Sequence, residues 1–222
     1  MLNRNDKNIF LSYFLDENTP LYGGEIGVEI LEHKSIKNGD TSNNKKLRFY
    51  NHSGTHIDFP NHFYENGDMS HNYPANFWIF ECPFLLVRIA KENEIIYLDK
   101  NDLANVPENV DFLIIKTGFG ICRGEEKYWK YNPGLSPGTA DVLRELFPKL
   151  RVIGMDFISL TSFQNREIGR EAHKKFLGGN SPILLVEDMD LSSIENTPQK
   201  LICVPILVHG LDGSPVTIIA EL

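Results

Sequence analysis

Apolar residues fall in short, dense runs along the chain: Phe84 to Ala90, Phe112 to Ile115, Val152 to Met155, Ile183 to Val186, Leu201 to Val208 and Val216 to Ala220. These runs are rich in Ile, Val and Leu and do not alternate with polar positions, which predicts strands buried on both faces. Two other stretches carry helical spacing. Ser136 stands as an N-cap with Pro137 at the first helical position, and Ala140, Leu143, Leu146 and Phe147 follow before Pro148. From about Arg166 to Leu177, the apolar residues Ile168, Ala172, Phe176 and Leu177 predict a second helix stopped by Gly178-Gly179. Strands interleaved with helices give an α/β class. The helices are too few for a doubly wound sheet, so a mixed central sheet is expected. Residues 34–46, polar with Gly39-Asp40 and Asn43-Asn44, read as a loop. No repeat, low-complexity tract or linker divides the sequence, and one domain over 1–222 is the simpler expectation.

Composition narrows the partners. Apolar residues make up 41% and charged residues 23% of the 222 positions, the balance of an ordinary globule. With 22 basic and 30 acidic residues the formal charge is −8, which argues against nucleic acid or an anionic membrane as partner. Cys82, Cys122 and Cys203 are few, odd in number and without a CxxC pair, so neither a zinc ribbon nor a disulfide framework is indicated. Met1 to Asp6 lacks the apolar stretch of a leader, and no apolar run is long enough to span a bilayer. A cytoplasmic protein is the expectation.

Four of the seven histidines, His52, His56, His62 and His71, lie within twenty residues. Gly54 permits a turn between His52 and His56, and Pro60 biases Phe59 towards an extended backbone. If the chain runs extended from His56, the period of two places His56, Asp58 and His62 on one face. Imidazoles and a carboxylate converging without thiolates suit Zn, Mn or Fe and disfavour a closed structural zinc site.

The segment His52-Ser53-Gly54-Thr55-His56-Ile57-Asp58-Phe59-Pro60-Asn61-His62 resembles the H-x-G-T-H-x-D-x-P-x-H signature of the metal-dependent hydrolases called the cyclase family. Further matches are Leu11-Ser12 with Thr19-Pro20-Leu21-Tyr22, Gly154-Met155-Asp156, His173 followed by Ile183 to Met189, and Asp212-Gly213-Ser214-Pro215-Val216. The resemblance implies a swivelling β/β/α fold, often a homodimer. It implies metal ligands at His52, His56, Asp58, His173 and Glu187, with Asp58 and Glu187 bridging two divalent ions, Zn²⁺ or Mn²⁺, and His62 as the acid–base residue. This chain departs from the family at Phe157 to Thr161 and at Glu187-Asp188-Met189, without loss of a ligand. The position of Glu187 after an apolar run agrees with a site at a strand's C-terminal end.

Such a site hydrolyses amides because a divalent ion lowers the pKa of bound water to roughly 7 and polarises the carbonyl. Hydroxide at the ion is then the nucleophile and no side-chain nucleophile is needed. The implied activity is cleavage of a carbon–nitrogen amide bond in a small aryl substrate, as in an arylformamidase. A cyclic amide or lactone hydrolase is the alternative, and a non-catalytic metal or small-molecule binder is a third reading. A nucleotide-binding loop at Gly118-Phe119-Gly120 fails, since the next glycine is Gly124 and no clear helix opens after it. Phe59, Phe63, Tyr64, Tyr73, Phe77, Trp78 and Phe80 suit an aryl pocket or an ordinary core equally well. Tyr128 to Tyr131 is a candidate lid or subunit contact.

Overall fold

The computed structural model describes residues 7–25 and 27–222; Met1 to Asp6, read above for a leader, lie outside them. Thirteen strands are described: β1 (Asn8–Phe10), β2 (Val28–Lys34), β3 (Asn44–Phe49), β4 (His56–Asp58), β5 (Ile79–Phe80), β6 (Pro83–Val87), β7 (Ile95–Ile96), β8 (Phe112–Lys116), β9 (Gly134–Leu135), β10 (Val152–Met155), β11 (Leu184–Glu187), β12 (Lys200–Pro205) and β13 (Gly213–Glu221). The helices are α1 (Glu126–Lys130), α2 (Pro137–Leu146) and α3 (Arg166–Leu177), with short 3-10 turns between elements.

Nine strands form one mixed sheet in the order β5-β12-β13-β4-β11-β10-β8-β6, with β1 also paired to β13. The β6, β8, β10 and β11 strands run parallel. From β11 onwards the pairing is antiparallel, through β4, β13, β12 and β5. The fold is therefore α/β with a mixed central sheet.

The inner parallel strands behave as their sequences predict. Phe112 to Ile115, Val152, Ile153 and Leu184 to Val186 are all buried, and each such side chain removed from water contributes about 1.5–3 kcal/mol. The run from Leu201 to Val208 differs. In β12, Leu201 and Cys203 point inward while Ile202 and Val204 are exposed, and residues 206–208 leave the sheet with Leu207 86% exposed. An all-apolar run here alternates in burial because β12 lies near the sheet's rim, where one face is uncovered. Similarly, the first run leaves the sheet at Val87, beyond which Ile89 is exposed.

Both predicted helices form. Ser136 and Pro137 open α2, and Gly178 follows the last residue of α3. Residues 34–46 are only partly a loop. Lys34 ends β2, and Asn44 to Lys46 begin β3, so the polar stretch includes two strand ends joined through Gly39 at φ +94°. Polarity misled there because this two-stranded hairpin is exposed on most of its length.

Tyr128 is likewise no lid residue. It is fully buried, and its hydroxyl donates to Asp188 Oδ1 at 2.6 Å. Cys122 and Cys203 are buried and Cys82 is partly so; all three are free thiols.

Candidate metal centre

The centre is built on β4, a three-residue strand held between β11 and β13. Its register sets His56 opposite Glu187 on one side and Pro215 on the other, and Asp58 opposite Leu185 and Gly213. Alternation along β4 then turns His56 and Asp58 to the same face. Before the strand, Gly54 adopts φ +63°, a left-handed turn that folds His52 back over β4. His52 Nδ1 lies 2.8 Å from Asp58 Oδ1. The ring is seated against Gly213, where a Cβ would overlap the imidazole.

His62 arrives by a different route from the predicted one. Phe59 is extended at φ −103°, ψ 160°, but β4 has ended and Pro60–His62 form a 3-10 turn. Proline at the first position of that turn removes an N–H that would have no partner there. The turn, closed by His62 N–H to Phe59 O at 2.9 Å, places the His62 ring 4.2 Å from that of His52. Its Nδ1 is 2.8 Å from Asp212 Oδ2.

Glu187 is the last residue of β11, at the C-terminal end of the parallel strands. Its Oε1 accepts from Leu160 N–H at 2.7 Å and from the Ser159 hydroxyl at 3.2 Å. His173 comes from α3, stacked on Phe63 at 4.9 Å between centroids. Its Nδ1 lies 2.9 Å from Gly169 O one turn earlier. His56 Nδ1 is tied in the same way to Gly54 O, at 2.8 Å.

Those two backbone contacts decide the chemistry. An imidazole whose Nδ1–H donates to a carbonyl presents a lone pair on Nε2 when neutral. His56 Nε2 lies 3.5 Å from Asp58 and 3.4 Å from Glu187, and His173 Nε2 lies 3.5 Å and 3.3 Å from the same two carboxylates. Lone pairs would therefore face carboxylates in a buried space, an arrangement that only a proton or a metal cation relieves. Asp58 Oδ2 is buried with no hydrogen-bond partner among the described residues. The donor set and this orphaned oxygen fit a divalent cation.

Without a cation the cluster gathers protons. Burial works against charge on His52 and His173. Asp58 and Asp212 override it for His52, and the nearby carboxylates of Asp58 and Glu187 do so for His173, pushing each pKa up to about 10. Burial and the charge of Asp58 both favour protonation of Glu187, but its hydrogen bonds with His173 and His56 hold it at about 2. Asp58 is held well below the usual carboxylate range by His52 and His173 despite full burial.

All six residues singled out from the sequence, His52, His56, Asp58, His62, His173 and Glu187, line one cavity of about 340 Å³. His71 stays outside, stacked on His209 at 3.8 Å. Of the seven clustered aromatics only Phe63 lines the cavity; Phe59, Trp78 and Phe80 are buried in the core. Sequence reasoning gave no role to Asp212, although its Asp-Gly-Ser-Pro-Val segment was legible. Its Oδ2 faces both His62 Nδ1 and His52 Nε2, the latter at 3.1 Å, while Asn51 donates to Oδ1 at 2.6 Å. Those hydrogen bonds from His52 and His62 depress the Asp212 pKa. Tyr22, legible only as part of the Thr19-Pro20-Leu21-Tyr22 match, also lines the cavity, as do Arg166 and Arg170, which had no signal of their own.

Behind Glu187, Asp188 takes a left-handed backbone at φ +53° and accepts Arg123 through Nε at 2.8 Å and an Nη at 2.7 Å. Thr55 ties the same strand end to β4, donating to Asp188 O. Among the described residues no helix is long and apolar enough to cross a membrane.

Known proteins resemble this chain along most of its length. A kynurenine formamidase of Bacillus cereus is 26% identical over 210 residues, covering 94% of each chain. Cyclase-like protein 2 of rice, Oryza sativa, is 26% identical over 197 residues, 86% of this chain and 70% of its own. Among solved structures, isatin hydrolase A from Labrenzia aggregata superposes with a TM-score of 0.80 at 19% identity, covering 96% of this chain and 92% of its own. The family model described as "Putative cyclase" matches residues 9–161, more than half of the sequence, and the chain belongs to that cyclase family.

Proposed function

We propose that this protein is a metal-dependent hydrolase that cleaves the carbon–nitrogen amide bond of a small aryl substrate, in the manner of an arylformamidase. The observation that carries it is the convergence of His56 Nε2, His173 Nε2, Glu187 and the unpartnered Asp58 Oδ2 beside a His62–Asp212 pair. The kynurenine formamidases of Bacillus cereus and Bacillus mycoides, at 26% and 28% identity, support amide hydrolysis as the reaction.

His52, His56, Asp58, His173 and Glu187 would hold the divalent metal, Zn²⁺ or Mn²⁺, two per chain. The bound metal supplies Lewis acidity, which activates water and polarises the amide carbonyl. The rest falls to the chain. Gly54 O and Gly169 O fix the two imidazoles in the tautomer that offers Nε2. Leu160 N–H and Ser159 hold Glu187 in place. His62, oriented by Asp212 at Nδ1, is left with Nε2 to take a proton from attacking water and return it to the leaving nitrogen. Phe63 and Tyr22 give the cavity aromatic walls.

The reading extends to a single domain over 1–222 acting in the cytoplasm, where three free thiols stay reduced. It also extends to a homodimer: the β2–β3 hairpin, with Leu31 and Leu47 exposed, offers apolar surface for a second copy.

Elemental analysis of protein purified without chelators, followed by assay on formanilide, tests the core of the reading. Two ions per chain and release of formate and aniline are expected. One ion per chain removes the bridging role of Asp58 and Glu187. Absence of both metal uptake and turnover on reconstitution overturns the reading, and turnover of lactone or isatin alone transfers it to cyclic substrates.

A further inference from the structure

Helix α3 brings more than a ligand to the cavity. Arg166, Arg170 and His173 stand at positions i, i+4 and i+7, so all three share one helix face. By helical rise, Arg170 and Arg166 lie about 4.5 and 10.5 Å along the axis from His173. Both arginines line the same cavity as the ligand cluster.

Nothing in the helix itself calls for them. Arg166 is the first residue of α3, where the positive end of the helix dipole disfavours a cation. Like charges four residues apart repel on a helix surface. The chain as a whole is acidic at −8. Nevertheless, among the described residues the arginine ion pairs are those of Arg48, Arg88, Arg123 and Arg151, and neither Arg166 nor Arg170 has an acidic partner. Arg166 is instead braced on an aromatic ring, its guanidinium 4.0 Å from the Phe163 centroid and 6.0 Å from that of Tyr22. A guanidinium held over a ring face by cation–π attraction still has N–H groups to donate. Tyr22 reports the same field: burial raises its hydroxyl pKa, and Arg166 and Arg170 both work to lower it.

We propose that Arg166 and Arg170, with the Tyr22 hydroxyl, form a clamp for a carboxylate on the substrate, so that the preferred substrates are aryl amides bearing an anionic group remote from the scissile bond. This rests on the hydrolase reading above and names its substrate class. The clamp holds one end of the molecule at the cavity wall and the ligand cluster receives the amide at the other. Two planar donors in fork geometry match a carboxylate, and a neutral amide of the same shape leaves them unpaired.

Calorimetric titration of the metal-loaded protein with benzoate and with its neutral isostere benzamide tests this without requiring turnover. Benzoate is expected to bind tighter by about tenfold or more, the worth of one charge-assisted hydrogen bond. In the double variant R166Q/R170Q, which leaves the ligand cluster intact, that advantage should fall to within about twofold. An advantage that survives in the double variant places the carboxylate on the metal and overturns the clamp, as does the absence of any advantage in the unaltered protein. Should the double variant fail to fold, R170Q alone decides, since its side chain is exposed: benzoate affinity unchanged from the parent overturns the proposal. A kinetic readout complements this: KM for a formamidobenzoate should rise in R170Q while KM for formanilide stays put. Failure to turn over either substrate counts against the hydrolase, whereas arginine-dependent benzoate binding would still uphold the clamp.

Discussion

His62 Nδ1 and Asp212 Oδ2 are 2.8 Å apart although 150 residues separate them in the chain. The carboxylate fixes which ring nitrogen carries the proton and aims the other at the cavity, where Phe63 stacks edge-on against His62 at 4.8 Å. His62→Ala should lower turnover by about a hundredfold or more while bound metal stays near its parent level. Asp212→Asn should cost about ten- to a hundredfold in kcat with a smaller change in KM. Steady-state kinetics beside elemental analysis checks both. Loss of all metal from His62→Ala would make it a ligand.

Gly213 offers a sharper probe of His52. A Cβ at this position would overlap the His52 ring, and the glycine is held in register opposite Asp58. Gly213→Ala should push the imidazole off Asp58, weaken metal binding by about tenfold or more and cost about 1–3 kcal/mol from overpacking. Metal titration and thermal melts of the variant measure the two effects separately. Unchanged affinity would show that His52 is not a ligand.

The metal-free protein should have a stability maximum on the acid side of neutrality. His52 and His173 have folded pKa values of about 10 against 6.5 unfolded. Groups with raised values stabilise fully below the unfolded pKa and lose that contribution as pH rises towards 10. Glu187 is lowered to about 2 from 4.5, so its contribution is present above 4.5 and lost as pH falls towards 2. Melting temperature after chelation should therefore peak between about pH 4.5 and 6.5 and decline on both sides. Adding metal should flatten the alkaline decline, because the ion takes the place of the protons. A chelated protein whose stability rises from pH 7 to 9 would contradict this.

Arg123 is the counterpart of a buried carboxylate: the Asp188 side chain is 2% exposed and that of Arg123 18%. Arg123→Met should destabilise by about 3–5 kcal/mol, since it strands a buried charge. The adjacent Glu187 should also lose its fixed position, lowering metal affinity. Chemical denaturation and metal titration report the two losses. A second substitution, Asp188→Asn, should restore part of the stability.

The sequence was most informative where chemistry and local geometry coincide. The turn at Gly54, the extended Phe59 and the pair His56–Asp58 follow from residues adjacent in the chain, and the structure has all three. The central strands were legible because burial on both faces leaves an unbroken apolar run. Features set by long-range register were not. His62 shares the site through a 3-10 turn that a two-residue period does not describe, and Asp212 joins it only because β13 pairs with β4. Phe59, Trp78 and Phe80 stand close to the histidines in sequence but are buried in the core, since large aromatics gain more there than from a polar cavity wall. Arg166 and Arg170 carried no signal because no local pattern shows which side of α3 faces the cavity.

The short strand β4 has a consequence for how this protein comes into being. Its three residues acquire neighbours only when β11, more than a hundred residues later, and then β13 have been added to the sheet. Contacts so distant in sequence impose a large loop-closure cost and form late. A growing chain that has been translated through His62 thus holds most of the donor atoms but no place to assemble them. Metal capture would then report completed folding, with the ion as a latch that closes once the last strand is home.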